Sequence, residues 1–222
     1  MTLTIDPGVV IKIVAANAPW IQVSGTIKAN GTSAQPVVFT SFNDDEYGGD
    51  MNADSSATTP GPGNWRRLLV DTTSVGSAFT HTLVRYGGNN DSVDTVAKKG
   101  AIGVDSATVS FDRLIVEKSN FYGLSLVNSN STVTNSRFST STNAGTNGTG
   151  IYIYGGSPTI SNSIFSGNYI GATVENATPT FSSNTFTSNI QEAVKHSGIP
   201  GSFSGNSGSL NGTNAILISS GT

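Results

Sequence analysis

One sequence motif occurs twice in tandem in the second half of this chain. Residues 150–168 read GIYIYGGSPTISNSIFSGN, and residues 171–189 read GATVENATPTFSSNTFTSN. Gly150 and Gly171 begin the two copies, and the later landmarks of the two copies keep the same separation of 21 residues. A fixed period of this kind is typical of repeat proteins, in which each unit buries its apolar face against the next one.

The unit extends in both directions with a variable length. A Gly-like residue before a small or apolar strand recurs at Gly100, Gly123, Gly150, Gly171, Glu192 and Asn214. A β-branched or aromatic residue follows at Val109, Val133, Ile160, Phe181 and Phe203, and a third landmark at Leu114, Phe138, Phe165 and Phe186. The pattern predicts regular coils of 21–27 residues over residues 100–222.

Short strands with this period predict an all-β parallel β-helix. A leucine-rich repeat would need a Leu and Asn framework that is missing here, and a propeller blade needs about 40 residues. In the remaining solution each unit forms one coil of a solenoid, and neighbouring coils pair in long parallel sheets around a narrow core. Alternation along the strands predicts these inward residues: Leu124, Leu126, Ile151, Ile153, Ala172 and Val174.

The first hundred residues are less regular. Strand patterns occur at residues 3–13, 20–29, 36–42, 65–70 and 78–88. We interpret them as three earlier coils, which gives a single domain over residues 1–222 with about nine coils. A long acidic insertion (43–64) and a second loop (89–99) interrupt this region.

Polar residues recur at the predicted corners between strands. Asn135, Asn162 and Ser183 align two residues after the second landmark. Asn tolerates the left-handed backbone of a sharp corner. Because stacked Asn side chains also hydrogen-bond along an axis, we expect a ladder at these positions.

Composition excludes several partners. Only 11% of residues are charged, the net charge is −3 and the chain has no cysteine. No basic patch favours nucleic acid, and no apolar run approaches the ~20 residues that a membrane span needs. Met1 is followed at once by a strand and turn, which suggests a part of a larger multidomain chain.

A series of motifs in residues 3–65 is more specific. It contains LTIDPGVVIKI, then VSGTIKANGTSAQPVVFTSFNDDEYGGDMNADSS, then PGPGNW. The series resembles the opening of bacterial right-handed parallel β-helix proteins of the pectate-lyase-like superfamily. In that group a PG turn precedes coil one, and a G-T-x-x-x-P-V-x-F-T-S coil, an acidic loop and a Trp follow. The chain departs from the pattern at Arg66-Arg67, where a small residue is common. The resemblance implies a right-handed coil and a protein that is secreted or displayed on the cell surface, and it leaves the activity open.

The acidic insertion is the strongest candidate for a metal site. It places five oxygen-bearing side chains close together, namely Asp44, Asp45, Asp50, Asn52 and Asp54. Oxygen ligands at alternate positions suit Ca²⁺. The stretch is not an EF-hand, because Ser55 and Gly61 stand where that loop requires Gly and Glu. We predict a Ca²⁺ ion that helps to fold the insertion. The alternative is a solvated acidic loop whose Asp residues cap turns.

Two tyrosines are candidates for sugar contact. Tyr152 and Tyr154 alternate with the inward Ile151 and Ile153, so we expect both rings to project outward. Exposed aromatic rings on a flat sheet are stacking platforms for sugar rings. The alternative is that aromatic residues simply favour strands.

Two classes of function remain open. The first is a non-catalytic extracellular module, with a carbohydrate-binding, adhesive or structural role in a larger bacterial surface protein. The second is a calcium-dependent polysaccharide lyase or glycoside hydrolase that acts on acidic polysaccharide. The resemblance implies that such lyases use Ca²⁺ and a basic residue. The basic candidates are Arg66, Arg67, Arg85, Lys98, Lys99 and Arg113.

No catalytic residue is assigned from these candidates. None of the basic residues lies in a lyase signature, and the Asp strings expected of the hydrolases are missing. We expect His81 and His196 at solvent-facing or capped positions. A third class, ice binding by a flat Thr-rich face, is disfavoured because Ser and Thr do not recur at one outward register in every coil.

Overall fold

The chain folds into short strands joined by tight corners. The computed structural model describes residues 1–14, 19–55, 57–88, 95, 99–141, 147–198 and 201–219. Within those ranges the regular structure is entirely β, and no helix is long and apolar enough to cross a bilayer.

Each coil contributes three strands. The first four coils contain β1 (Thr2–Ile5), β2 (Val10–Ile13), β3 (Trp20–Val23), β4 (Thr26–Asn30), β5 (Val37–Ser41), β6 (Arg67–Val70), β7 (Ala78–Thr80), β8 (Thr82–Arg85), β9 (Gly100–Asp105), β10 (Ser110–Asp112), β11 (Ile115–Glu117) and β12 (Tyr122–Val127). The last four contain β13 (Thr132–Thr134), β14 (Arg137–Ser139), β15 (Thr149–Tyr154), β16 (Thr159–Ser161), β17 (Ile164–Ser166), β18 (Ile170–Glu175), β19 (Thr180–Ser182), β20 (Thr185–Thr187), β21 (Glu192–Ser197), β22 (Ser202–Ser204), β23 (Ser207–Ser209) and β24 (Thr213–Ser219).

The strands form three parallel sheets of eight strands each. Sheet A takes the first strand of every coil, sheet B the second and sheet C the third. Each strand pairs in parallel with the equivalent strand of the neighbouring coil, as β12 pairs with β9 and β15. The predicted all-β, right-handed parallel β-helix is therefore confirmed. The described coils number eight, because β9 completes the third coil and does not begin a new one.

Inward side chains form four continuous columns, one on sheet A, one on sheet B and two on sheet C. All six predicted inward residues are inaccessible to solvent, namely Leu124, Leu126, Ile151, Ile153, Ala172 and Val174. The sheet B column is aromatic in three successive coils. The rings of Phe138, Phe165 and Phe186 stack with centroids 5.1 and 4.8 Å apart, so each coil packs directly on the next.

The first regular coil differs from the predicted alignment. Phe111 pairs with Val133, whereas the sequence pattern placed Val109 opposite it. Val109 is also buried. A shift of two residues keeps every side chain on the same face, so alternation does not detect it.

A column of residues in the left-handed region runs along the corner between sheets A and B. Asn135, Asn162 and Ser183 have φ angles of 53°, 50° and 56°, as their predicted corner role requires. Their side chains are exposed and do not form the predicted ladder. The Asn135 amide instead donates to Asp112 Oδ1. One Asn ladder lies one residue farther along this corner, where the Asn184 amide donates to Asn206 Oδ1 at 3.0 Å.

A second Asn ladder lies at the corner between sheets B and C. The Asn168 amide donates to Asn189 Oδ1 at 3.1 Å, and the Asn189 amide donates to Asn211 Oδ1 at 2.7 Å. Asn168 and Asn189 are buried, and their amides also donate to the carbonyls of Phe138 and Phe165. These bonds satisfy backbone groups that a corner would otherwise leave unpaired inside the protein.

Outward positions of sheet A carry hydroxyl side chains in the last four coils. The paired residues are Thr132 and Thr134, Thr159 and Ser161, Thr180 and Ser182, and Ser202 and Ser204. Ser and Thr therefore recur at one register in these four coils. The recurrence does not extend to every coil, as expected, because Ala78, Lys28 and Asp112 interrupt it in the earlier coils.

Candidate functional site

The longest connections all lie at one corner of the β-helix. Residues 42–66 link β5 to β6, residues 86–99 link β8 to β9, and residues 140–148 link β14 to β15. Each of these runs from sheet B to sheet C, and we call this corner the loop edge. Insertions on one side of a repeat array commonly mark its binding side. Most of the second loop, including the candidate base Lys98, lies outside the described residues.

The acidic loop is anchored to sheet B through Asp44. This residue is 2% exposed, and its carboxylate accepts the Thr40 hydroxyl. The same carboxylate oxygen lies 3.2 Å from Arg85 Nη1. Asp44 therefore holds the loop, and its carboxylate is already occupied by protein groups.

Arg85 is the centre of a buried ionic cluster. It also pairs with Glu46 at 2.7 Å and with Glu117 at 2.8 Å, and its guanidinium lies over the rings of Tyr47 and Tyr86. Burial by itself would lower the pKa of Arg85, but the hydrogen bond to Glu46 and the neighbouring carboxylates reverse the effect and raise it. Because Arg85 is charged, buried and fully engaged, it does not serve as a base.

Three other carboxylates of the loop converge. Oxygen atoms of Asp45, Asp50 and Asp54 lie within 4.8 Å of one another. Asn52 lies beside them and donates its amide to Asp54 Oδ2 at 2.8 Å. The structure therefore brings together four of the five predicted ligands, and Asp44 is the one that it places elsewhere.

The chemistry of this cluster fits a hard cation. Within the described part of the chain, Asp45 Oδ1 and Asn52 Oδ1 are shielded from solvent and accept no hydrogen bond. Asp50 accepts the backbone N–H groups of Asp54 and Ser55, which fixes its position. Carboxylates at this separation repel one another, and Ca²⁺ takes six to eight such oxygen ligands.

Beside the loop edge, the outer face of sheet C presents the predicted tyrosines, with Tyr154 at the end of β15 that is remote from this edge. Strand pairing places two columns of outward residues side by side: Tyr152, Thr173 and Lys195, and Tyr154, Glu175 and Ser197. Tyr154 is 38% exposed and offers an accessible ring. Tyr152 is only 5% exposed and forms the floor of the site, because Tyr122 stacks on it with ring centroids 4.6 Å apart.

A groove of about 170 Å³ is lined by Tyr152, and Tyr154 is not part of its lining. Phe121, Tyr122 and Tyr169 contribute aromatic surface, and Thr149 and Thr173 contribute hydroxyl groups that lie 3.1 Å apart. These residues come from the loop edge and from the outer face of sheet C. The arrangement combines flat rings with hydrogen-bonding groups, as sugar-binding sites do.

Glu175 and Lys195 supply the charges of the groove. The Tyr152 hydroxyl donates to Glu175 Oε2 at 2.6 Å and so orients the carboxylate. Burial, together with this hydrogen bond, raises the pKa of Tyr152, and burial with the Glu175 charge raises the pKa of Tyr122. Both tyrosines therefore stay protonated as donors at neutral pH.

Sequence reasoning missed Glu175 and Lys195. The signal was present, because both occupy the register of Tyr154 and Tyr152 in the following coils. A repeat alignment read down the outward columns would have found them.

The two histidines lie apart from the groove. His81 occupies the corner between sheets A and B with a φ of 44°. His196 is fully buried in an inward column, which contradicts the expected solvent-facing or capped position. Val174 and Ile218 pair with it in the neighbouring coils.

Comparison with known proteins supports the fold. A family model described as a right-handed β-helix region matches residues 89–222, which is more than half of the chain. No curated protein and no solved structure matches the sequence. The strand pairing and the family match agree, and the chain belongs to the right-handed β-helix family.

Proposed function

We propose that this chain is a non-catalytic β-helix module that binds a polysaccharide across the outer face of sheet C, beside its loop edge. In this proposal it is a secreted or surface-displayed part of a larger bacterial protein. The observation that carries the proposal is the groove, in which aromatic rings, hydroxyls and an oriented carboxylate meet at the corner that holds the long insertions.

The accessible ring of Tyr154 is the proposed stacking platform. It lies directly opposite Glu175 in the neighbouring strand, so a sugar ring on Tyr154 would have its hydroxyls within reach of the carboxylate. Tyr152 lies two residues earlier on the same face of β15, and the Tyr122 ring stacks on it. We assign the three roles as ring stacking for Tyr154, hydrogen bonding for Glu175 and positioning for Tyr152.

The test is retention on polysaccharides. Affinity electrophoresis against pectic, other plant and algal polymers should retard the protein, and Tyr154→Ala should lose most of the retardation. Ile164→Ala is the matched control, because Ile164 is an exposed apolar residue of sheet B away from the groove. Equal mobility of all three proteins in every gel would reject the proposal.

The same samples test the enzymatic alternative. Reducing ends and unsaturated products are measured after incubation with calcium. Release that depends on Glu175 or on the acidic loop would make this chain a lyase or hydrolase and overturn the non-catalytic assignment.

We also propose that Asp45, Asp50, Asn52 and Asp54 hold one Ca²⁺ ion that stabilises the acidic loop. The converging oxygens support this, and Asp44 acts as an anchor. Calcium should raise the melting temperature and EDTA should lower it, since a ligand at a hundred times its Kd contributes about 2.7 kcal/mol.

Two Asp variants separate the ion from the anchor. Asp50→Asn should abolish the calcium response, whereas Asp44→Asn should lower stability but keep the response. Wild-type protein whose melting temperature is the same with EDTA and with calcium would remove the metal from the proposal.

A further inference from the structure

The groove contains two opposite charges that do not pair with each other. Glu175 and Lys195 both line it, and they occupy adjacent strands in neighbouring outward columns. The described residues provide no ion-pair partner for either side chain. The Tyr152 hydroxyl occupies one oxygen of Glu175, which leaves the other carboxylate oxygen free to accept a hydrogen bond.

The two charges discriminate among ligands. A neutral ligand would remove water from both charged groups without providing an opposite charge, and this desolvation costs free energy. An anionic ligand would gain Lys195 but would meet Glu175 as a like charge, and a cationic ligand has the opposite difficulty. A ligand that carries both signs compensates both groups at once.

We infer that the groove recognises a zwitterionic unit, meaning one that carries an ammonium group and an acidic group a few bonds apart. The inference rests on the proposed function and deepens it by naming the ligand class. The acidic group lies at Lys195 and the ammonium group at the free oxygen of Glu175. The aromatic faces of Tyr122 and Tyr169 add to this, because a ring face attracts a cation.

The structure already shows that this aromatic cluster accepts cations. The Lys99 ammonium lies 5.5 Å from the centroid of the Phe121 ring, next to Tyr122. The Phe121 and Tyr122 rings are themselves 4.2 Å apart. A ligand ammonium at Glu175 would extend the same interaction into the groove.

The experiment compares four sugars of similar size by isothermal titration. Muramic acid carries an amine and a carboxylate, glucosamine only an amine, galacturonic acid only a carboxylate, and glucose neither. Muramic acid should bind at least about tenfold more tightly than the other three. Glycine betaine, a zwitterion without a sugar ring, distinguishes a free small zwitterion from a glycan unit as the source.

Two variants assign the charges. Glu175→Gln keeps an oxygen for the Tyr152 hydroxyl and should remove the preference of muramic acid over galacturonic acid. Lys195→Met should remove its preference over glucosamine. Lys28→Met is the control, because Lys28 belongs to β4 on sheet A, and it should bind like the wild type.

The result that would overturn the inference is equal or tighter binding of galacturonic acid or glucose, or no saturable binding of any zwitterion. That failure is distinguishable from failure of the proposed function. Polysaccharide retention that depends on Tyr154 would then persist without a preference for the zwitterion. Conversely, zwitterion binding without retention on any polymer would preserve the inference and reject the polysaccharide.

Discussion

Three glycines of the middle coils lie so close to a neighbouring coil that an added Cβ atom would clash with it. A Cβ on Gly150 would lie 2.7 Å from the carbonyl oxygen of Gly171 and 3.1 Å from the Phe165 ring. Gly123 and Gly171 meet similar obstacles. This explains why Gly begins these units.

Replacing Gly150 with Ala should therefore destabilise the protein. Overpacking of this kind costs about 1–3 kcal/mol, because a backbone carbonyl and a stacked ring must both move. Urea unfolding would measure the loss. Gly61→Ala is the control, since a Cβ at Gly61 meets nothing within 4 Å. Equal stability of Gly150→Ala and the wild type would contradict the packing described here.

Single residues also mark the limit of what the sequence predicts. The inward Ile151 and Ile153 and the left-handed Asn135 were predictable, because alternation and corner chemistry are local. The burial of Tyr152 was not, since it depends on Tyr122, a residue of the preceding coil. The Asn ladder at the corner between sheets A and B was expected at Ser183 and lies at Asn184, because the residue that turns the corner and the residue that points inward are neighbours in sequence.

At the scale of the strand, β21 places a titratable group in the core. His196 is 0% exposed, and its ring meets Phe203 edge-on with centroids 6.2 Å apart. Burial lowers the pKa of His196 below its ordinary value. The folded protein therefore resists protonation of a side chain that the unfolded chain protonates freely.

Acid should weaken the fold through His196. Above the unfolded pKa of about 6.5 the residue is neutral in both states, and stability does not depend on it. As pH falls below that value, His196 binds a proton in the unfolded chain but stays neutral in the folded protein. The free energy of unfolding therefore decreases by up to about 1.4 kcal/mol per pH unit.

The variant His196→Val isolates this contribution, because Val174 occupies the same column one coil earlier. Its unfolding free energy should fall less than that of the wild type between about pH 7.5 and about pH 5. His81→Gln should retain the wild-type acid sensitivity. Identical pH dependence of wild type and His196→Val would remove the assigned role.

Over the whole molecule, contacts are confined to neighbouring coils. Each strand pairs only with the equivalent strands before and after it in the chain. Stability in such an array is a sum of coil and interface contributions. A local defect should therefore spread a short distance along the axis and affect all three sheets.

Replacing Ile153 with Asp tests this. An unpaired charge in the core column is costly, so hydrogen exchange should accelerate in β12, β15 and β18 and in the strands of sheets A and B that share those coils. The distant strands β1, β2 and β3 should keep the hydrogen-exchange protection that they have in the wild type. Uniform acceleration over the whole chain would show a single cooperative unit, and no acceleration would refute the register.

The number of coils and the position of the acidic loop were close to the prediction, since both follow from spacing along the chain. That the long connections share one corner was not predictable. It depends on which sheet each irregular N-terminal strand joins, and alternation is the same for all three sheets. The Arg85 cluster was hidden for a related reason, as its partners Asp44 and Glu117 belong to different coils.

The loop edge has a consequence for how the sequence of such a protein can evolve. Length varies freely at one corner, while the other two corners keep strands aligned from coil to coil. Insertions and deletions there change the exposed loops without repacking the interior. Under the proposed function, new binding specificities would arise from changes in these loops alone. A loop grafted at this corner should be tolerated better than one grafted at either of the other two.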